Sequence, residues 1–134
     1  MSWRLLAPQH WPTWIGLALL RVLEPLPYGL LMRLGRGLGR GVRPLLAGHR
    51  RIARRNLALC LPDQTASERE ALLRQHFASL GCALLETAVS WWSTDERIRS
   101  LTSVDGLEHV ERAQQSGRGI LLLSAHFTTI EIGC

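Results

Sequence analysis

Lysine is missing from this sequence: all sixteen of its basic residues are arginine. That absence removes the P-loop lysine, Schiff-base chemistry and Ser-Lys dyads from what the chain can do. Cysteine is scarce: Cys60, Cys82 and Cys134 are widely spaced, with no CxxC and no Cys/His ligand pattern. Neither a disulfide framework nor a metal site follows, and buried reduced thiols are the expectation. No charged, apolar and small-residue succession of a secretory signal opens the chain. Long hydrophobic runs are lacking as well. "WIGLALL" is interrupted by Arg21, Glu24, Pro25 and Pro27, short of the ~18 apolar residues that a spanning helix needs.

What is present bounds the answer from the other side. The 134 residues make one ordinary domain or a piece of a larger one, and 46% hydrophobic content suffices for a core. A net charge of +5 and a pI near 10.4 favour anionic partners: an acidic protein, a phosphorylated lipid surface or nucleic acid. Residues 11–31 read as a hydrophobic helix with Trp11 and Trp14 at one end and a proline break at the other. Tryptophans in that position suit a membrane interface, and they equally suit the core helix of a soluble protein.

The stretch "LMRLGRGLGRGVRPLLAG" carries the glycines of a phosphate loop but fails as a dinucleotide fingerprint. Arg40 stands where a glycine is needed, and no strand precedes it. Its spacing is helical instead. Arg33, Arg36, Arg40 and Arg43 fall on one side, and Leu31, Leu34, Leu38, Val42 and Leu45 on the other. A basic stripe opposite an apolar stripe fits a helix lying on an anionic membrane, or a solvated face over a protein core. "GHRRIARRNLALCLPD" repeats the device with Arg50, Arg51, Arg54 and Arg55, and Pro62 ends it. No aromatic residue interleaves with these arginines, which argues against a single-stranded nucleic-acid platform.

From Thr65 onward the pattern predicts a long helix. Thr65 and Glu68 have capping-box spacing, and Leu73, Phe77, Leu80, Leu84, Ala88 and Trp91 follow as an apolar stripe. Gln75, His76, Glu86 and Thr87 read as structural or flanking. "VDGLEHVERAQQSGRG" reads as a short helix opened by Asp105 and closed at Ser116–Gly119, and "ILLLS" as a strand buried on both faces of a parallel sheet. Helix, glycine turn and buried strand make an α/β unit, in which function gathers beyond the strand end.

His126 and Glu131 stand there, five apart. In one regular helix five residues turn the side chains about 140° apart, so the two meet only if His126 lies in the turn before the helix. Thr128 and Glu131 also form a T-x-x-E capping box, which would explain the glutamate without chemistry.

A histidine, four residues and an acid is the box of membrane acyltransferases. The blocks "RRIARRNLALCLPD", "HFASLGCALLETAVSWW", "GLEHVERA" and "GRGILLLSAHFTTIEIG" in this order resemble the late acyltransferases of bacterial lipid A biosynthesis, most closely the lauroyl-type enzymes acting on Kdo2-lipid IVA. The resemblance covers residues 11–134. It implies that His126 is the general base toward an acceptor hydroxyl and that Glu131 orients it, with a thioester on acyl carrier protein as donor and no separate cofactor or metal. It implies the partners too: acyl carrier protein, a Kdo2-lipid IVA-like lipid A precursor and the cytoplasmic side of the cell inner membrane, with no nucleic acid. The expected organisation is α/β: a helical, basic, membrane-associated region over residues 1–103, then the start of an acyltransferase α/β domain over residues 104–134. Family members are longer, so the chain is expected to be an incomplete and inactive piece. The alternatives are a glycerolipid acyltransferase with the same box and a non-enzymatic basic module that binds membrane surfaces.

Overall fold

The computed structural model of the chain describes residues 7–117, 119–121 and 123–125. Six α-helices follow a short 3-10 turn at Pro8–His10: α1 Trp11–Leu23, α2 Tyr28–Val42, α3 Ala47–Cys60, α4 Ala66–Trp92, α5 Asp95–Leu101 and α6 Leu107–Gln115. Helix α1 stops where Pro25 and Pro27 cannot continue it. Helix α4 starts at a complete capping box. The Thr65 side chain accepts from the Glu68 amide, and the Glu68 carboxylate accepts from the Thr65 amide at 2.7 Å. Helix α6 is entered through Gly106 at φ 81°, a left-handed conformation, so the cap falls one residue after the expected Asp105.

The centre of the fold is the crossing of α2 with α4. A Cβ added to Gly35 would lie 2.8 Å from Gly81 O, one on Gly39 would lie 1.9 Å from Phe77 O, and one on Gly81 would lie 2.0 Å from Gly35 O. Stepping up four residues on α2 means stepping down four on α4, so the helices run antiparallel, backbone against backbone. Leu31, Leu85 and Val89 form the apolar core at one end of this seam, with Leu20 and Leu23 of α1, Leu26 and Met32 packed on it. Leu73 and Phe77 are buried towards the other end. Helix α3 docks on the first turns of α4, where Glu70 takes Arg43 at 3.0 Å and Arg54 at 2.9 Å. Arg69 donates to the carbonyls of Leu61, Pro62 and Gln64, tying the loop between α3 and α4 to the first turn of α4. At the opposite end, buried Glu24 accepts from Arg21 at 2.9 Å, Arg97 at 3.3 Å and Ser93 at 2.5 Å, locking the end of α1 to α4 and α5.

This packing divides the expected stripes differently. Leu31 is buried on α2 together with Gly35 and Gly39, while Leu34, Leu38 and Leu45 are exposed. On α4 the buried set is Leu73, Phe77, Ala78, Gly81, Leu85, Ala88 and Val89, while Leu80, Leu84 and Trp91 face outward. A glycine seam lets two backbones touch, and the contact face then turns towards the small residues and away from the largest ones.

The α/β organisation is not what the structure has. Every regular element among the described residues is helical, and none is a strand. The run expected as a doubly buried strand instead leaves Leu121 at 93% and Leu123 at 96% exposed. A strand exists through a hydrogen-bonded ladder to a neighbour. Between residues 7 and 117 the chain is committed to helices by its caps and 3.6-residue periodicity, so none of it is left to pair with this run. No helix among the described residues is long and apolar enough to cross a membrane.

The seam makes a clear contrast between neighbouring glycines. Gly39→Ala should destabilise the fold by about 3 kcal/mol, since its Cβ meets main chain that cannot swing aside. Gly37→Ala, with nothing within 4 Å of its Cβ, should stabilise by about 0.5–1 kcal/mol through helix propensity. Urea denaturation of both variants checks this, and equal effects would contradict the seam.

Candidate functional site

His126 and Glu131, the residues expected to carry chemistry, lie outside the described residues. The described chain leads to their threshold at Ser124 and Ala125, where Ser124 Oγ donates to Ala125 O at 3.2 Å. The cavity the structure does define lies elsewhere, along one flank of the α2–α4 seam.

It is an open groove of about 760 Å³. Three of the four arginines expected to share a stripe, Arg36, Arg40 and Arg43, line it from α2. Arg74, Gln75, Ser79, Cys82 and Glu86 line it from α4. Glycine at positions 35 and 39 brings α2 so close that arginines one and four residues along overhang the partner helix. Arg43 is spoken for by Glu70, whose carboxyl Arg54 and Arg43 hold below its ordinary value. No carboxylate among the described residues lies within ion-pair distance of Arg36, Arg40 or Arg74.

The groove also holds a buried carboxylate. Glu86 is 3% exposed, and its Oε1 accepts the Tyr28 hydroxyl at 2.5 Å. Its Oε2 is buried with no hydrogen-bond partner among the described residues. Burial, then the bond to Glu86, pushes the Tyr28 phenol up from 10.0 to about 12. Cys82 sits beside them with its thiol pushed up chiefly by burial, against the opposing pull of Arg36. Its Sγ faces the Met32 carbonyl at 3.5 Å. A thiol so held is a packing group rather than a nucleophile. His76, on the same helix, is exposed and meets Phe77 edge-on at 5.6 Å, in keeping with its structural reading. Among the described residues no cluster of His, Cys, Asp or Glu could hold a metal ion.

Sequence reasoning reached the arginines of α2 but missed Arg74 and Glu86 as groove residues. A glutamate inside an otherwise apolar helical stripe was the available signal.

The class these features define is a helical, lysine-free, arginine-rich protein with an anion-complementary groove and exposed apolar flanks. Comparison narrows it further. The chain belongs to the bacterial lipid A biosynthesis acyltransferase family, whose profile matches residues 1–134. It is 42% identical over 128 residues to the lipid A biosynthesis palmitoleoyltransferase of Escherichia coli K12, covering 96% of this chain and 42% of that protein. It is 40% identical over 132 residues to the lauroyltransferase of the same organism, covering 98% of this chain and 43% of the relative. The myristoyltransferase is more distant, at 31% over 129 residues, covering 93% of this chain and 39% of that enzyme. The chain thus spans about two-fifths of the length of the curated relatives it matches. No solved structure matches it.

The raised Tyr28 pKa has a stability consequence with a definite sign. The fold favours the neutral phenol, so this contribution is whole below the ordinary value of 10.0 and is lost as pH rises through about 12. Tyr28→Phe strips Glu86 of the one donor it has among the described residues and should cost about 1–3 kcal/mol near neutral pH. The gap from the native chain should close between pH 10 and 12. Urea titrations across that window test it, and a constant gap would contradict the assignment.

Proposed function

We propose that this chain serves in the transfer of a fatty acyl chain, of the lauroyl-to-palmitoleoyl class, from acyl carrier protein to a hydroxyl of a lipid A precursor. The observation that carries this reading is the match to lipid A acyltransferases along nearly the whole chain, at 42% and 40% identity. His126 acts as general base and Glu131 orients it. An imidazole with a pKa near ~6.5 is free base at neutral pH and can still hold a proton. His126 takes the proton of the acceptor hydroxyl while that oxygen attacks the thioester carbonyl. The C–O bond forms and the C–S bond breaks. The proton held by His126 then passes to the departing sulfur, leaving the carrier as a thiol. Glu131 keeps the imidazole in the productive tautomer and stabilises its charged form, as the acid of a hydrolase triad does. No separate cofactor is required.

The region works at the cytoplasmic face of the inner membrane. Ile15, Leu19 and Val22 on the outward face of α1 are well exposed, and Arg33 of α2 and Arg51 and Arg55 of α3 are exposed as well, a combination suited to an anionic interface. Residues 1–134 by themselves span about two-fifths of the relatives' length, and alone they transfer no acyl group.

His126→Ala, introduced in the gene that carries this sequence, should lower transfer by about 10²–10⁴. The mass spectrum of lipid A should then lack one acyl chain while phospholipids stay normal. Unchanged lipid A with altered phospholipids would instead favour a glycerolipid acceptor. Replacing Ile15, Leu19 and Val22 together with Ser should weaken flotation on phosphatidylglycerol vesicles at least ~10-fold, because apolar burial is lost. Undiminished flotation would refute the membrane contact.

A further inference from the structure

Helix α3 is held on the bundle lightly. Arg50, Ala53 and Leu57 are half-buried, and every other residue of Ala47–Cys60 is exposed. Its one ion pair among the described residues joins Arg54 to Glu70 of α4 at 2.9 Å, and that arginine is itself 55% exposed. An ion pair so open to water contributes little, because solvent serves both ions nearly as well. Losing it would not strand Glu70 either: the other carboxylate oxygen keeps Arg43 of α2 at 3.0 Å. The two ends of α3 are held unequally. Beyond Cys60 the loop is pinned by Arg69, which takes the carbonyls of Leu61, Pro62 and Gln64. Before Ala47 the chain passes through a turn at residues 43–45, with Leu45 in the open.

The seat also divides what the helix has to offer. At 100° per residue, Ile52, Ala53, Leu57 and Leu59 make one apolar arc, and Arg50, Arg51, Arg54 and Arg55 make the opposite one. Only Ala53 and Leu57 are half-covered, while Ile52 and Leu59 stand in solvent. The seated helix thus satisfies half of its apolar arc. We propose that α3 is a strap that Glu70 holds on the bundle and that an anionic bilayer releases. Arg54 leaves Glu70 for lipid phosphates, whose paired oxygens suit a guanidinium fork. The helix then tilts outward about its pinned end at residues 61–64 and lays the whole apolar arc among the lipids. Charge selects the releasing partner. With four arginines and no acidic residue in α3, an anionic surface attracts the helix, whereas a zwitterionic one offers nothing to set against Glu70. Arg43 remains on Glu70 throughout, so α2 and α4 stay joined while α3 moves. The bilayer as releasing partner rests on the membrane setting of the proposed function; the hold on α3 through one carboxylate does not.

The test is a distance between spin labels at Gly48→Cys on α3 and Gln75→Cys on α4, in the intact protein with its own three cysteines replaced by alanine. Glu70→Gln should lengthen that distance in solution by about 5 Å, one helical turn, or more. Its helical circular dichroism spectrum should stay unchanged. Phosphatidylglycerol vesicles should lengthen it likewise with Glu70 in place, and phosphatidylcholine vesicles should leave it as it is. Glu70→Gln should also raise the affinity for phosphatidylglycerol vesicles about fivefold, the gain of one freed arginine. Asp63→Asn removes a charge from the adjoining loop that pairs with no arginine among the described residues, and should raise it less than about twofold. An unchanged distance in Glu70→Gln would overturn the strap, whatever the vesicles do. Equal gains in affinity from Glu70→Gln and Asp63→Asn would overturn it as well, leaving net charge alone. Vesicles that bind the chain without lengthening the distance would overturn the bilayer as the releasing partner. A chain that binds no vesicles, yet lengthens with Glu70→Gln, would sustain the hold of Glu70 and remove the membrane setting of the proposed function.

Discussion

The approach of α2 to α4 through Gly35, Gly39 and Gly81 is the constraint on which the rest of this structure depends. Main-chain atoms of the two helices occupy space that any Cβ at these positions would need. Dispersion falls steeply with distance, so a bare backbone contact of this kind packs more tightly than leucines could, and it admits only one register. That register carries Leu31 onto Leu85 and Val89, Tyr28 onto Glu86 and Arg43 onto Glu70. Glycine is costly in a helix, by about 1 kcal/mol each against alanine. Gly35 and Gly39 offset that cost in the seam, while Gly29, Gly37 and Gly41 have nothing within 4 Å of an added Cβ.

The same constraint produces three faces on α2. The seam is buried, one flank carries Arg36, Arg40 and Arg43 into a groove, and the other leaves Leu30, Leu34 and Leu38 in the open. Charge and apolar surface are thus parted by a packed line of glycines rather than sitting on opposite sides of a lone surface helix. Under the proposed function, such a division puts polar recognition and apolar contact on different sides of one rigid pair. Glu24, with donors from Arg21, Arg97 and Ser93, fixes α1 to that pair at its far end.

Much of the helical framework was legible in the sequence because its signals are local. Thr65 with Glu68, the stop at Pro62 and the break at Pro25 and Pro27 act within a turn or two, and the structure uses each of them. What could not be read depends on partners distant in the chain. Four glycines alternate along α2, and only knowledge of Gly81 distinguishes Gly35 and Gly39 from Gly37 and Gly41. Glu86 looked like a flanking residue until Tyr28, 58 positions away, was found on it. "ILLLS" has the composition of a buried strand, but composition supplies no neighbouring ladder, and the α/β expectation failed there. Family membership was legible in the order of whole blocks, which encode more than any one spacing does.

Native-state hydrogen exchange measures the seam most directly. If α2 and α4 form the rigid pair on which the rest is hung, the amides around Gly35–Gly39 and Phe77–Gly81 should be the slowest in the chain. They should exchange only through global opening, while those of α6 exchange by local fraying. Exchange around Gly39 and Gly81 as fast as in α6 would contradict the central place given to this contact.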